Sequence, residues 1–164
     1  MKPSFLLCLA FALSFVVSGC SSGIPVVNVE GRLLLDGQPI DEATITFLPT
    51  DGGDHSAVGR SGPGGAFALS TAGAKVGSGV VPGKYYVGIT YNKLLNPVPE
   101  SEFVGLTSEQ RNEKARTFAG DPRYFPPKYQ TIVPIKYNRP QGSGIEVEVK
   151  NKRGNVVTLE LQSQ

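Results

Sequence analysis

"KYYVGITY" at residues 84–91 decides the fold, because its side chains alternate between two faces. One face carries four large side chains: Tyr85, Val87, Ile89 and Tyr91. The other face carries Tyr86, Gly88 and Thr90. A period of two residues is typical of a β-strand with one face in the core and the other towards solvent. The stretch therefore predicts a central strand.

Similar alternation appears on both sides of this strand, in short stretches separated by turn residues. Six such stretches are visible: 27–35, 43–49, 57–61, 66–70, 144–150 and 155–162. Asp36-Gly37 ends the first with a hairpin signal, "GPGG" separates the third from the fourth, and "NKRG" suggests a closing hairpin between the last two. With 20 glycines and 13 prolines available for turns, the pattern predicts an all-β fold, a seven-stranded antiparallel sandwich.

The chain between residues 92 and 131 interrupts this pattern, and we expect a long irregular insert there, before the last hairpin. Five prolines fall within it. One short helix is predicted over 107–117, where Thr107 and Gln110 have the spacing of a capping box. Because the helix has no apolar stripe, we expect it to be exposed. Long connections of this kind inside a domain tend to be functional or disordered.

The amino-terminal residues have the pattern of an export signal. Lys2 provides a positive start, and residues 5–17 form an apolar core too short for a membrane-spanning helix. This core runs into "VSGC", which resembles a bacterial lipobox. We therefore expect a signal peptide at 1–19, lipid on the Cys20 thiol, a tether at 20–25 and one domain at 26–164. The other cysteine, Cys8, would be removed, so the mature chain would have no disulfide.

Charge argues against one large class of partner. The sequence has sixteen Lys and Arg against fourteen Asp and Glu, a net charge of +2, with no run of like charges. Nucleic-acid binding therefore has no electrostatic support.

The expected membrane contact is the acylated Cys20, since two or more acyl chains hold a protein durably. Ser21 follows the anchor where an aspartate would favour the inner membrane, which predicts attachment to the outer membrane of the cell envelope.

Several motifs, taken in order, resemble a known family. They are "DGQP" (36–39), "ATITFLP" (43–49), "GAFAL" (65–69), "PGKYYVGI" (82–89) and "PIKYNRPQGSGIEVEV" (134–149). Together they are similar to the carboxypeptidase regulatory-like, transthyretin-like domain found in short lipoproteins of planctomycete-type bacteria. The resemblance covers nearly all of the mature chain except the insert. It implies a prealbumin-like (Ig-like) sandwich acting as a non-catalytic module without a cofactor. One departure is "SGPGG", which lacks the acidic residue usual in that turn.

Residues suited to catalysis or metal binding are sparse. A Ser-His-Asp arrangement could be drawn only from one loop and its surroundings: His55, Ser56, Ser61, Asp51 and Asp54. It lacks the strained turn that exposes a nucleophile, so we expect no enzymatic activity. Asp51 and Asp54 are also a candidate calcium pair, but calcium takes six to eight oxygens, and a solvated turn is the favoured interpretation.

"RYFPPKYQ" at residues 123–130 gathers Tyr124, Phe125 and Tyr129 around two prolines. These rings could form a platform for a glycan or peptide, or could pack on the sandwich and fix the insert, which is the commoner arrangement. The sequence thus predicts a lipid-anchored cell-envelope protein with a non-catalytic β-sandwich module, whose partner is an unidentified envelope protein or glycan. The alternative is a lipoprotein that binds a glycan, peptide or calcium through the insert.

Overall fold

Short strands account for most of the regular structure. The computed structural model describes residues 24–74 and 78–163, so the predicted signal peptide and Cys20 lie outside the described residues. The strands are β1 Val29–Leu35, β2 Gln38–Pro39, β3 Thr44–Pro49, β4 Ala57–Arg60, β5 Ala66–Ala68, β6 Ser70–Thr71, β7 Gly83–Thr90, β8 Asn92–Leu94, β9 Tyr129–Thr131, β10 Glu146–Val149 and β11 Asn155–Leu161. One α-helix, α1, spans Ser108–Phe118. None of the helices in the described ranges is long and apolar enough to cross a membrane.

Two sheets enclose one apolar core. The first has the order β10-β7-β3-β4-β6, and the second has the order β11-β1-β2 with β5 also paired to β1. The core contains the side chains that alternation placed inward, including Val29, Leu33, Ala43, Ile45, Phe47, Phe67, Leu69, Tyr85, Val87, Ile89, Val149, Leu159 and Leu161. The predicted all-β layered fold is confirmed. In each strand every second side chain points towards the opposite sheet, and these side chains form the core.

The carboxyl-terminal strands correct two predictions. β10 pairs with β7 in the first sheet, whereas β11 pairs with β1 in the second. The predicted closing hairpin is therefore wrong, since its two strands belong to different sheets. The β1–β11 pair is also parallel, so the sandwich is not wholly antiparallel. Alternation decides which face of a strand is buried, but it does not decide which sheet the strand joins.

The first turn forms a hairpin, although a shorter one than expected. Asp36 and Gly37 both have positive φ, at 50° and 77°, as a tight two-residue hairpin turn requires. Only Gln38–Pro39 pairs back onto β1. The following strand, β3, crosses to the other sheet, so the first two predicted strands face each other across the core. Including such short pieces, the described residues form eleven strands, more than the seven expected.

The predicted hairpin of 57–61 with 66–70 is present, and its second arm belongs to both sheets. Its pairings run from Ser61 opposite Phe67 to Val58 opposite Ser70. The same arm, as β5, pairs with β1. A Cβ at Gly59 would lie 2.2 Å from the Ala68 carbonyl oxygen, so only glycine permits this close crossing.

The turn of that hairpin obtains its acidic partner from elsewhere in the chain. The 3₁₀ turn Pro63–Gly65 has no acidic residue in its first turn. Instead, the Gly65 amide donates to Asp41 Oδ1 at 3.0 Å, from the connection between β2 and β3. The carboxylate missing from "SGPGG" is thus supplied by the neighbouring β2–β3 connection.

Candidate binding surface on the insert

A short ladder closes the base of the insert, residues 92–131. β8 and β9 pair antiparallel, with Leu94 opposite Tyr129. The ladder continues on both sides, because the Leu95 amide donates to Lys128 O at 2.8 Å and the Ile132 amide donates to Tyr91 O at 3.0 Å. The expectation of an irregular segment is therefore corrected at its two ends, where the backbone groups pair with each other.

Asn96 holds the two limbs together above this ladder. Its Nδ2 donates to Arg123 O at 3.2 Å and to Pro126 O at 3.3 Å, and its Oδ1 accepts from the Lys128 amide at 2.7 Å. One side chain thus bridges residues about thirty positions away in sequence. Sequence reading missed it, because a lone asparagine in a proline-rich segment carries no signal of long-range pairing.

The predicted helix and its capping box are confirmed. Thr107 Oγ1 accepts from the Gln110 amide at 3.3 Å, while the Thr107 amide donates to Gln110 Oε1 at 2.9 Å. α1 then ends at Phe118, and the chain turns at Asp121, whose carboxylate binds the Arg123 guanidinium at 2.7 Å. These hydrogen bonds from Arg123 lower the pKa of Asp121 below its ordinary value of 3.8.

Three rings form a small cluster inside the insert. Phe103 and Phe118 have centroids 5.8 Å apart, and Phe118 and Tyr124 have centroids 5.3 Å apart at 82°. The Arg123 guanidinium lies 5.3 Å from the centre of the Tyr124 ring. Tyr124 is therefore half-buried against α1, within the insert and not on the sandwich. Edge-to-face pairs of this kind add to the stability given by burial.

The two other predicted surface aromatics are exposed. Phe125 has 56% of its surface accessible and Tyr129 has 61%. Leu94 is the cross-strand partner of Tyr129 and is itself exposed, so these two side chains lie side by side on one face of the ladder. We call these two side chains, together with the exposed Phe125 four residues before Tyr129, the insert surface. It combines aromatic and aliphatic side chains, which suit stacking against a sugar ring or an apolar peptide side chain.

A cleft of about 590 Å³ lies where the insert joins the sandwich. The sandwich contributes Glu42, Thr44, Arg60, Thr90 and Tyr91, and the insert contributes Asn92, Lys93, Leu94 and Pro97. Glu42 and Arg60 approach to 4.0 Å. Leu94 belongs both to this cleft and to the insert surface, so charged and apolar groups are next to each other.

Glu42 occupies its place in the cleft at a conformational cost. Its φ is 65°, in the left-handed region that residues with a Cβ rarely adopt. The Glu42 amide donates to Ser61 O at 2.8 Å, and this bond holds the backbone there. Outliers of this kind are concentrated at functional sites. Sequence reading did not select Glu42, Arg60 or Lys93, because residues distant in sequence form the cleft.

The loop at 50–56 has no comparable arrangement. Asp51 Oδ1 accepts from the Gly53 amide at 3.0 Å, which makes a local turn, and Asp54 is exposed. Asp51 and His55 border a small cavity of about 80 Å³ beside Tyr85. Burial raises the pKa of Tyr85, and the Asp51 charge adds to the effect. Within 24–74 and 78–163, no group of three or more His, Cys, Asp or Glu could hold a metal ion.

Of the two serines considered for a catalytic triad, Ser56 directly follows His55, whereas Ser61 is separated from it by β4. Ser61 is buried, and its Oγ accepts from the Ala43 amide at 3.0 Å, so it joins β3 to the end of β4. His55 is exposed and precedes β4 at its other end. Ser61 therefore has a structural role at one end of the strand, away from the imidazole.

Comparison with protein-family models, curated proteins and solved structures finds no match.

Proposed function

We propose that this chain is a lipid-anchored cell-envelope protein, with a non-catalytic sandwich of the carboxypeptidase regulatory-like, prealbumin-like type. In this proposal Cys20 carries the lipid, and the insert surface and its cleft bind an envelope protein or a glycan. The "VSGC" sequence after an apolar core supports the anchor. The order of motifs along the chain supports the domain type.

The observation that carries the proposal is the placement of the insert relative to the amino terminus. Val27 exchanges backbone hydrogen bonds with Val80, at 2.8 and 2.9 Å, next to the start of β7. The insert leaves from the other end of β7, after Thr90. An eight-residue strand is roughly 26 Å long. A domain anchored just before Ile24 would therefore present the insert surface away from the membrane, where a partner could reach it.

Radiolabelled palmitate tests the anchor. The full-length protein, expressed in a bacterium that processes lipoproteins, should incorporate label and fractionate with the outer membrane. Cys20→Ala should abolish the label, whereas Cys8→Ala, within the segment expected to be removed, should retain it. Label retained in Cys20→Ala would refute the anchor, and labelled protein in the inner-membrane fraction would refute the outer-membrane assignment.

Site-specific photocrosslinking in the native envelope tests the binding role. A photoreactive residue at Phe125 should capture one discrete protein or glycan. Val156 is the matched control, because it is also an exposed apolar side chain, 78% accessible, but lies at the start of β11 near the amino-terminal end. Equal, diffuse adducts from both positions would contradict recognition by the insert surface.

Binding of a free glycan or peptide in the cleft is a second candidate function. Its support is the combination of an acidic and two basic side chains, Glu42, Arg60 and Lys93, with the apolar Leu94 in one cleft. Titration of the protein with soluble envelope glycans and short peptides, followed by NMR, should shift the amides of β4 and β8. Shifts confined to other strands would contradict this candidate.

A further inference from the structure

The connection between β10 and β11 carries a concentration of positive charge. Lys150, Lys152 and Arg153 fall within four positions, and all three are exposed. Asn151 interrupts the series, so the sequence shows no run of like charges. None of the ion pairs within residues 24–74 and 78–163 includes them. We call residues 150–154 the basic loop.

A buried side chain fixes the shape of this loop. Asn155 is only 7% accessible, and its side-chain amide makes three hydrogen bonds to the backbone of the loop. Its Oδ1 accepts from the Lys150 amide at 3.0 Å, while its Nδ2 donates to Lys150 O at 3.0 Å and Lys152 O at 2.9 Å. Gly154 completes the turn with φ of 71°. The cations are thus displayed from an ordered backbone, which lowers the entropy lost on binding.

The basic loop lies at the end of the sandwich where the predicted tether enters. Asn155 is the parallel partner of Val29, so the loop before β11 is next to the residues before β1. A cleft of about 630 Å³ is lined on one side by Val26, Val27 and Asn28 and on the other by Asn151, Lys152, Arg153 and Gly154. Apolar and cationic walls face each other there, as a phospholipid headgroup and its glycerol region would require.

The acidic side chains at this end either lie in another connection of the sandwich or have a polar or charged neighbour outside the basic loop. Asp51 and Asp54 are in the β3–β4 connection, and β7 separates β3 from β10 in the sheet. Glu148 is the cross-strand partner of Lys84, and Glu30 accepts from Asn28 Nδ2 at 2.9 Å. The positive charge is thus concentrated at the β10–β11 edge.

The tether is short enough to bring this end to a bilayer. Four residue steps separate Cys20 from Ile24, and an extended chain of that length reaches at most about 14 Å. The Debye length is about 8 Å at physiological ionic strength, so cations must come close to a charged surface to be attracted by it. A tether of this length, with lipid on Cys20, would allow the basic loop to come within that range of the bilayer.

We propose that the basic loop contacts the anionic phospholipid headgroups of the membrane that holds acylated Cys20, with Lys152 and Arg153 against the phosphates. This inference rests on the lipid anchor of the proposed function. The contact would orient the domain, because it adds a second point of attachment beside the tether and leaves the insert pointing away from the bilayer.

Vesicles of defined composition test the contact. The full-length acylated protein with Asn151→Cys, which adds a single thiol to the mature chain, carries a fluorophore there and is reconstituted into phosphatidylcholine vesicles with or without phosphatidylglycerol. A quencher on the lipid headgroups reports the population in contact. We expect this population to fall about tenfold or more in the double variant Lys152→Glu, Arg153→Glu, and to fall in neutral vesicles and at high salt.

The matched control reverses two exposed charges on the insert, Arg116→Glu and Lys128→Glu, and should leave the quenching unchanged. Equal quenching in neutral and anionic vesicles, or an equal loss in the control, would overturn the inference, because tether length or net charge would then explain the proximity. Palmitate incorporation into each protein is measured separately. A chain without lipid refutes the anchor and this inference together, whereas a lipidated chain without charge-dependent quenching refutes only the inference.

Discussion

The sandwich and the insert are held together by different interactions. In the sandwich, side chains such as Phe47, Val87 and Leu161 are completely buried. In the insert, none of residues 92–131, all of which the structure describes, is buried. The insert depends instead on Asn96, the capping box of α1 and three rings. A large apolar core makes one region stable as a unit, while a few separate contacts leave the other able to change locally.

The largest test of this difference is removal of a core ring. Phe47→Ala should lower the free energy of unfolding by about 3–5 kcal/mol, because Phe47 is fully buried and lies 5.7 Å from the Tyr85 ring. Urea denaturation measures the loss, which should extend to every strand. Thr158→Ala on the exposed face of β11 is the control. A loss from Phe47→Ala no larger than that from Thr158→Ala would contradict the cooperative core.

Removal of the Asn96 side chain should separate the two regions. Asn96→Ala deletes three hydrogen bonds and should destabilise the closed insert by about 2 kcal/mol. Hydrogen exchange should accelerate at the Lys128 and Leu95 amides and stay unchanged at Val87. Asn112→Ala, on the exposed surface of α1, should have little effect. If the β7 amides exchange faster to the same extent, the insert and the sandwich are one cooperative unit.

A smaller effect is expected from loss of the helix cap. Thr107→Ala should cost the helix about 1 kcal/mol, because the Gln110 amide loses its side-chain acceptor. The measurement is amide exchange along α1, compared with Ser108→Ala at the next position. Ser108→Ala as damaging as Thr107→Ala would show that the capping box contributes little.

Lowering the pH should have the smallest effect on the stability of the two regions. The pKa of Asp121 in the folded protein is lowered below its ordinary value of 3.8. Its pairing with Arg123 therefore stabilises the insert fully at pH values above 3.8, and this stabilisation is lost as the pH falls through the lowered pKa. Hydrogen bonds from Ser163 lower the pKa of Asp36 in the sandwich in the same sense. Between pH 5 and pH 7 no change is expected. Asp121→Asn should remove the acid dependence of exchange at the Arg123 amide, and its persistence would assign the effect to another group.

The two regions also differ in how far sequence predicts them. Alternation identified Phe47 and Val87 as core residues, because burial on a strand follows a local period. The cap at Thr107 was visible for the same reason, since its partner is three residues away. Two long-range features were not predictable: the pairing of β11 with β1 and the hydrogen bonds of the Asn96 side chain. Both join residues distant in sequence, and the partners are backbone groups that every residue has.

The parallel pairing of β1 with β11 has a mechanical consequence. Seven positions are paired, from Val29 with Asn155 to Leu35 with Leu161, and the chain enters β1 from the side of the predicted anchor. The hydrogen bonds of a parallel pair are evenly spaced and slanted along the strand. A pull on the residues before Val29, with the chain held beyond Leu161, therefore loads all of these bonds together in shear. A domain pulled from its amino terminus should resist extension until the whole ladder slides, and then yield in one step.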